Sequence, residues 1–296
     1  MTGGELRLTP ADTLLVPPGV DGSGLAAPYP GVAAALAARL RTDGASPMVT
    51  FYDDATGERV ELSGATLDNW VAKTANLLVD TLGLGPGDRV GVDLPAHWLT
   101  VVVLLAAWSA GLDVLVGTEA AADEPAGATD EPAGDLAALF VAESRIEAAL
   151  ALGADEVIAL SLRPLGARMT HPVAGVLDFA TEVPAHGDRF AAPRPPAAQT
   201  ALLAHAALAA VTAGLGPDDR LLATAGPASA QGLLSAVLGP LVTGASVVLC
   251  RHLDGNLDDA ALARRIATER VTAVCGTARP VPAGVRRLRF DAAAES

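Results

Sequence analysis

Gly85-Pro86-Gly87-Asp88-Arg89-Val90-Gly91-Val92-Asp93-Leu94-Pro95, followed by Ala96-His97-Trp98 and a largely apolar run to Ala110, is the stretch that decides the fold. The Gly/Pro cluster closing on Asp88 reads as a turn. Arg89 to Leu94 is short and apolar, as a buried strand is. Trp98 to Ala110 has helical length, and Asp113 to Val116 is a second short apolar strand. Strand, helix and strand in that order make a crossover unit and hence parallel sheet.

The same reading extends in both directions. Upstream, Val32 to Leu40 is a short Ala/Leu helix, and Met48 to Tyr52 with Arg59 to Leu62 flank the polar turn Asp53 to Glu58 as a hairpin. Ser63 is placed to cap a helix in which Leu67, Trp70, Val71, Thr74, Leu78 and Leu82 recur at helical spacing, and Gly83 supplies its stop. Met1 to Pro30 is Gly/Pro-punctuated and expected to be irregular. Downstream come strand Leu136 to Val141, helix Ser144 to Leu152 and strand Glu156 to Leu160. After a proline-rich stretch the alternation resumes with helix Thr200 to Gly214, strand Arg220 to Thr224, helix Gly232 to Val242 and strand Ser246 to Cys250. Helix Leu257 to Glu269 and strands Val271 to Cys275 and Arg286 to Phe290 complete it. The expected class is α/β, mainly parallel sheets with flanking helices. The expected division is a first half over 1–162, a linker or surface excursion over 163–199 and a second half over 200–296, with one compact domain as the alternative.

Composition narrows the function classes. The net charge of −14 disfavours nucleic acid and anionic membrane surfaces, leaving proteins and small molecules as expected partners. Lys73 is the only lysine, which excludes any mechanism needing two. Cys250 and Cys275 each end an apolar run; they are too few for a disulfide framework, and the strands they end are consecutive, which makes them candidate neighbours. The first residues lack a basic start followed by an apolar core, and Leu99 to Val116 is interrupted by polar residues and glycine, so a cytoplasmic protein is expected. Glu119 to Asp135 repeats Asp-Glu-Pro-Ala-Gly at 123–127 and 130–134, and its polarity points to a flexible loop.

Two blocks carry a family resemblance. Val49-Thr50-Phe51-Tyr52 through Gly57, the helix to Leu82, Gly85 to Pro95 with its Gly-Asp-Arg-Val, and Val103 to Gly111 resemble the start of the adenylate-forming superfamily, which comprises acyl-CoA synthetases, peptide-synthetase adenylation domains and luciferases. Leu215 to Leu222, Gly232 to Leu249 and Ile266 to Cys275 are similar to the segment following the phosphate loop in those enzymes. The resemblance implies a fold like the amino-terminal part of such an enzyme. It also implies which parts are wanting. Where the family has a Ser/Thr/Gly-rich loop ending in Lys-Gly, this chain reads Arg189 to Gln199, with no glycine, serine, threonine or lysine and with Pro193, Pro195 and Pro196 lacking N–H donors. The family's aromatic-His pair is replaced by Ala225 to Gly232. Its adenine-binding loop and carboxy-terminal lysine would fall beyond Ser296.

The residues singled out are therefore weak ligand candidates. His97 and Trp98 open a helix at the carboxyl end of a strand, where open α/β sheets bind ligands; the competing reading is that His97 caps the helix and Trp98 packs. Arg194 and Thr200 remain as anion donors at the start of a helix. His205 matches the family histidine and otherwise reads as a structural histidine. No nucleophile–base pair or metal-ligand spacing is present, so no catalytic residue, metal or cofactor is expected. The expected function is a non-catalytic relative of AMP-binding enzymes that binds a nucleotide or acyl ligand, a protein partner or a second copy of itself. The alternatives are a ligase fragment completed by another chain, and an unrelated enzyme using the vestigial cleft.

Overall fold

A computed structural model of the chain describes residues 6–15, 25–117 and 135–290. The acidic repeat lies outside these residues. The strands among them are β1 (Leu8–Pro10), β2 (Pro47–Asp53), β3 (Glu58–Ser63), β4 (Arg89–Asp93), β5 (Asp113–Gly117), β6 (Ala138–Ala142), β7 (Glu156–Leu160), β8 (Val176–Asp178), β9 (Arg220–Ala223), β10 (Ser246–Arg251), β11 (Ala273–Cys275) and β12 (Arg286–Arg287). They form two six-stranded sheets, in the orders β1-β5-β4-β6-β7-β8 and β12-β11-β9-β10-β2-β3. All pairings are parallel except β1 with β5 and the hairpin β2 with β3. The turn-to-strand reading of Gly85 to Leu94 holds: β4 lies inside the first sheet, parallel to β5 and β6.

Period-two alternation explains the layering. Ala138 and Phe140 of β6 face a core shared by both sheets, whereas Leu139 and Val141 face outward against helix Ile146–Leu152. In the second sheet Leu221, Val247 and Leu249 face the same central core, and Leu222, Val248 and Cys250 turn outward toward helix Asp259–Thr268. Helix Trp98–Ser109 is buried at every residue and packs against β4, β5 and β2. A helix apolar all round can only sit in such an interior, and this one joins the two sheets into one core.

Local signals set the helix ends. Ser63 Oγ accepts from Thr66 N–H at 3.2 Å and caps helix Gly64–Asn76, whose last turn widens into a π segment at Leu77–Thr81. Gly83 then adopts a φ of +70, which L side chains rarely adopt, and ends the run. Replacing Ser63 by alanine leaves a free amide at that end and is expected to lower stability by about 1 kcal/mol, checked by denaturant unfolding.

Four expectations are corrected. Met1 to Pro30 is not wholly irregular, since β1 and helix Ala11–Leu15 lie within it and β1 adds an antiparallel edge to β5. The proline-rich stretch 163–199 contributes β8 and helix Phe179–Glu182, and buries Phe179 and Val183; isolated anchors of this kind leave no periodic trace. Sheet membership does not follow the order of the halves, because β2 and β3 join the second sheet through β10. Cys250 and Cys275 are not on adjacent strands: β9 lies between β10 and β11. Both are buried free thiols, and burial pushes Cys250 up to about 12 and Cys275 to about 11.

Candidate functional site

The carboxyl ends of β6 and β7 in one sheet and of β2 and β10 in the other open onto one cleft of about 900 Å3. Crevices outside the carboxyl ends of parallel strands are where open α/β sheets hold ligands. Two of its lining residues, Leu162 after β7 and His252 after β10, have left-handed backbones with φ of 52 and 55. A non-glycine residue held there costs on the order of 1 kcal/mol and marks a position the surrounding structure over-determines.

Each wall is braced by a carboxylate. On one side Asp53 Oδ1 lies 2.8 Å from His252 Nδ1 and accepts from Ala55 N–H at 2.9 Å, while Oδ2 is 3.9 Å from Arg251. Burial alone pushes the Asp53 carboxyl up, but the His252 and Ala55 hydrogen bonds and the nearby Arg251 outweigh it and hold it below its ordinary value. On the other side Glu143 Oε1 accepts from Thr170 and His171 N–H at 2.7 and 2.8 Å, anchoring the turn that follows β7.

A buried knot lies behind that turn. Glu58 Oε1 accepts from Leu165 N–H at 2.9 Å, and its Oε2 faces His97 Nε2 at 3.9 Å. His97 Nδ1 accepts from Leu99 N–H at 3.1 Å, so the ring's proton is on Nε2, toward the carboxylate. Burial pulls the His97 pKa down more strongly than Glu58 raises it, and the imidazole is neutral. Burial raises the Glu58 carboxyl, but His97, the Leu165 amide and Trp98 together bring it below its ordinary value. The knot is an ionised carboxylate facing neutral donors. Phe51 packs 4.5 Å from the His97 ring and Trp70 5.5 Å from Trp98.

The candidates from sequence are not brought together. His97 and Trp98 are buried, His97 as a helix cap. Arg194 is exposed, with no partner among the described residues. Thr200 donates its hydroxyl to Pro30 O at 3.0 Å. His205 Nδ1 donates to Ala201 O at 3.0 Å inside its own helix. Sequence alone does not single out Asp53 or Arg251 and presents His252 only as one of several scattered histidines without metal-ligand spacing, because the three meet only when β2 pairs with β10. The sole local signal is that each stands at a strand's carboxyl end.

Helix Ala197–Ala213 starts without a side-chain cap, with Ala197, Ala198 and Thr200 exposed and one flank filled by protein. Gln199 is buried, donating Nε2 to Trp108 O at 2.6 Å and accepting Val32 N–H on Oε1 at 3.3 Å. Pro195 lies so close to Gly31 that a Cβ there would come within 2.6 Å of it. A cavity of about 220 Å3 beside this helix start is lined by Asp12, Asp113 and Arg89. Burial and the like charge of Asp12 push the Asp113 carboxyl up against the opposing pull of Arg89. Among the described residues no group of three or more His, Cys, Asp or Glu is placed to hold a metal ion, and no helix is long and apolar enough to cross a membrane.

Known proteins share this architecture. The AMP-binding enzyme family model matches residues 37–128. An anthranilate CoA ligase solved with anthranoyl-AMP superposes with a TM-score of 0.64 at 16% identity, covering 87% of this chain and 51% of that one. An acyl-CoA synthetase of Brucella canis gives 0.60 at 19% identity, over 94% and 49%. A benzoate CoA ligase of Burkholderia xenovorans gives 0.61 at 19%, over 83% and 50%. The fold is that of the amino-terminal part of adenylate-forming enzymes, and the chain spans about half the length of these solved structures. A "TIGR03089 family protein" of Mycobacterium tuberculosis is 42% identical over 241 residues, 79% of this chain and 93% of the relative. The chain belongs to the TIGR03089 family.

Proposed function

We propose that this protein is a non-adenylating relative of AMP-binding enzymes that binds a small molecule in the cleft at the carboxyl ends of its two sheets. The observation that carries this reading is the lack of a Ser/Thr/Gly-rich donor loop before helix Ala197–Ala213. Adenylation develops extra negative charge on phosphorus, which donors aimed at the phosphates must stabilise. Here three prolines supply none, Gln199 and Thr200 are committed to Trp108, Val32 and Pro30, and the neighbouring cavity presents two carboxylates against one arginine. Lys73, the only lysine among the 296 residues, is held elsewhere. Its Nζ donates to His186 O at 2.5 Å, tying helix Gly64–Asn76 to the segment before Gly187.

The expected result is no ATP–pyrophosphate exchange with fatty, aromatic or amino acids above the level of a Lys73→Ala variant. Exchange that disappears in Arg194→Ala or His205→Ala overturns the reading in favour of a ligase fragment. A thermal-shift screen complements this test, since a ligand at a hundred times its dissociation constant adds about 2.7 kcal/mol of stability.

A further inference from the structure

The cleft holds a residue pair that simple binding leaves unused. Asp53 ends β2, and its side chain is only 3% exposed. Fixed by the Ala55 amide, it lies 2.8 Å from His252 Nδ1. An ionised carboxylate only accepts hydrogen bonds, so Nδ1 carries the proton and Nε2 of the neutral ring keeps its lone pair. That Nε2 has no partner among the described residues, and the ring, 43% exposed, lines the cleft. A histidine whose tautomer is set by a buried aspartate, with its other nitrogen open to a cleft, is the arrangement of a general base. Arg251 lines the same wall with its nearest carboxylate contact at 3.9 Å, which leaves its donors available.

The opposite wall is mixed, with an apolar strip running among Glu143, Glu147, Arg163 and His171. Leu150 is 47% and Val173 38% exposed there, next to Ile146 and Leu162, and Leu165 on the adjoining turn is 82% exposed. Exposed large hydrophobic side chains gathered on one rim mark a surface that takes an apolar group.

We propose that Asp53 and His252 form a general-base pair that hydrolyses carboxylic esters or thioesters whose acyl group lies against Leu150, Leu162 and Val173. His252 Nε2 takes a proton from water as the water oxygen bonds to the acyl carbon. Arg251 stabilises the resulting oxyanion. The intermediate collapses with cleavage of the C–O or C–S bond, and the imidazolium returns its proton to the departing alcohol or thiol. No hydroxyl or thiol is bonded to Nε2 among the described residues, which leaves water as the nucleophile. This step goes beyond the ligand-binding reading and is independent of adenylation.

The experiment is turnover of p-nitrophenyl butyrate and of a butyryl thioester of N-acetylcysteamine by the full chain across pH. Turnover is expected to depend on His252 at every pH tested, although Arg251, Glu143, Glu147, Arg163 and His171 also line the cleft. His252→Gln and Asp53→Asn are each expected to lower kcat/KM about 100-fold. His186→Gln, whose ring lies against Thr81, is expected to leave it unchanged. The ratio of the two substrates' rates separates an ester hydrolase from a thioester hydrolase. Absence of turnover of both, or full turnover by a His252→Gln variant with unaltered melting, overturns the proposal. His252 is partly exposed, so this variant is expected to fold even if Asp53→Asn does not. Failure here leaves the pyrophosphate-exchange result standing on its own.

Discussion

Gly232→Ala is expected to destabilise the protein by about 3 kcal/mol, a fall in melting temperature on the order of 10 °C, although the same change in an ordinary helix interior stabilises by roughly 1 kcal/mol. Gly232 lies in helix Ala230–Leu233, started by Ser229, whose Oγ accepts from Gly232 N–H at 3.1 Å. A Cβ at this position would come 1.6 Å from Gly226 O and 2.4 Å from its carbonyl carbon. Backbone cannot swing aside as a side chain does, so the 224–227 loop must move. That loop is itself confined, because a Cβ on Gly226 would lie 3.6 Å from Ala96 N, one residue before the His97 cap. Gly85→Ala is the control: its Cβ would meet nothing within 4 Å, and it is expected to melt like the wild type. Equal melting of the two variants would show that the Gly226 carbonyl yields at no cost.

Glu269→Ala is expected to cost about 3 kcal/mol near neutral pH and much less in acid. Glu269 caps the end of helix Asp259–Thr268, and its side chain is 5% exposed. Oε1 accepts from Tyr52 OH at 2.5 Å and from Arg59 Nε and NH2 at 3.1 and 3.0 Å, and Oε2 accepts from Arg220 NH2 at 2.7 Å. One carboxylate thereby ties β2, β3 and β9 to that helix, and its removal leaves Arg220 with Thr50 and Ser246 as its side-chain partners. Burial raises the carboxyl pKa, but Tyr52, Arg220 and Arg59 outweigh it and bring the folded value below that of the unfolded chain. The stabilisation is therefore complete above the unfolded carboxyl pKa and is lost as pH falls through the folded one. Melting curves of wild type and variant are expected to converge as pH drops through that range. A constant gap would place the stabilisation in packing rather than in charge.

How legible the fold was depended on the range of the interaction. Ser63, Gly83 and the Gly85 to Asp88 turn act on neighbours within a few residues, and each element they bound was found where local chemistry puts it. Helix 232–242 was recognised but begins at Ala230 and passes through a π segment at Leu234–Leu238 before Gly239–Thr243. Pro240 lacks the N–H for a regular ladder, and the widened turn before it accommodates that loss. The short edge strands β1 and β8 were missed, since three residues are too few for a period to show.

The sequence by itself determined the alternation of strands and helices and the α/β class, because side-chain periodicity and turn chemistry are local. It likewise determined that the segment before helix Ala197–Ala213 has three prolines and no Ser/Thr/Gly-rich phosphate loop. Only the tertiary structure decided that β2 lies beside β10, which sets Asp53 against His252 across 199 residues of chain, and that Leu165 reaches Glu58 across 107. The physical reason is that sheet order depends on which apolar faces close the shared core together. That choice is made by the whole chain at once, and no single stretch records it.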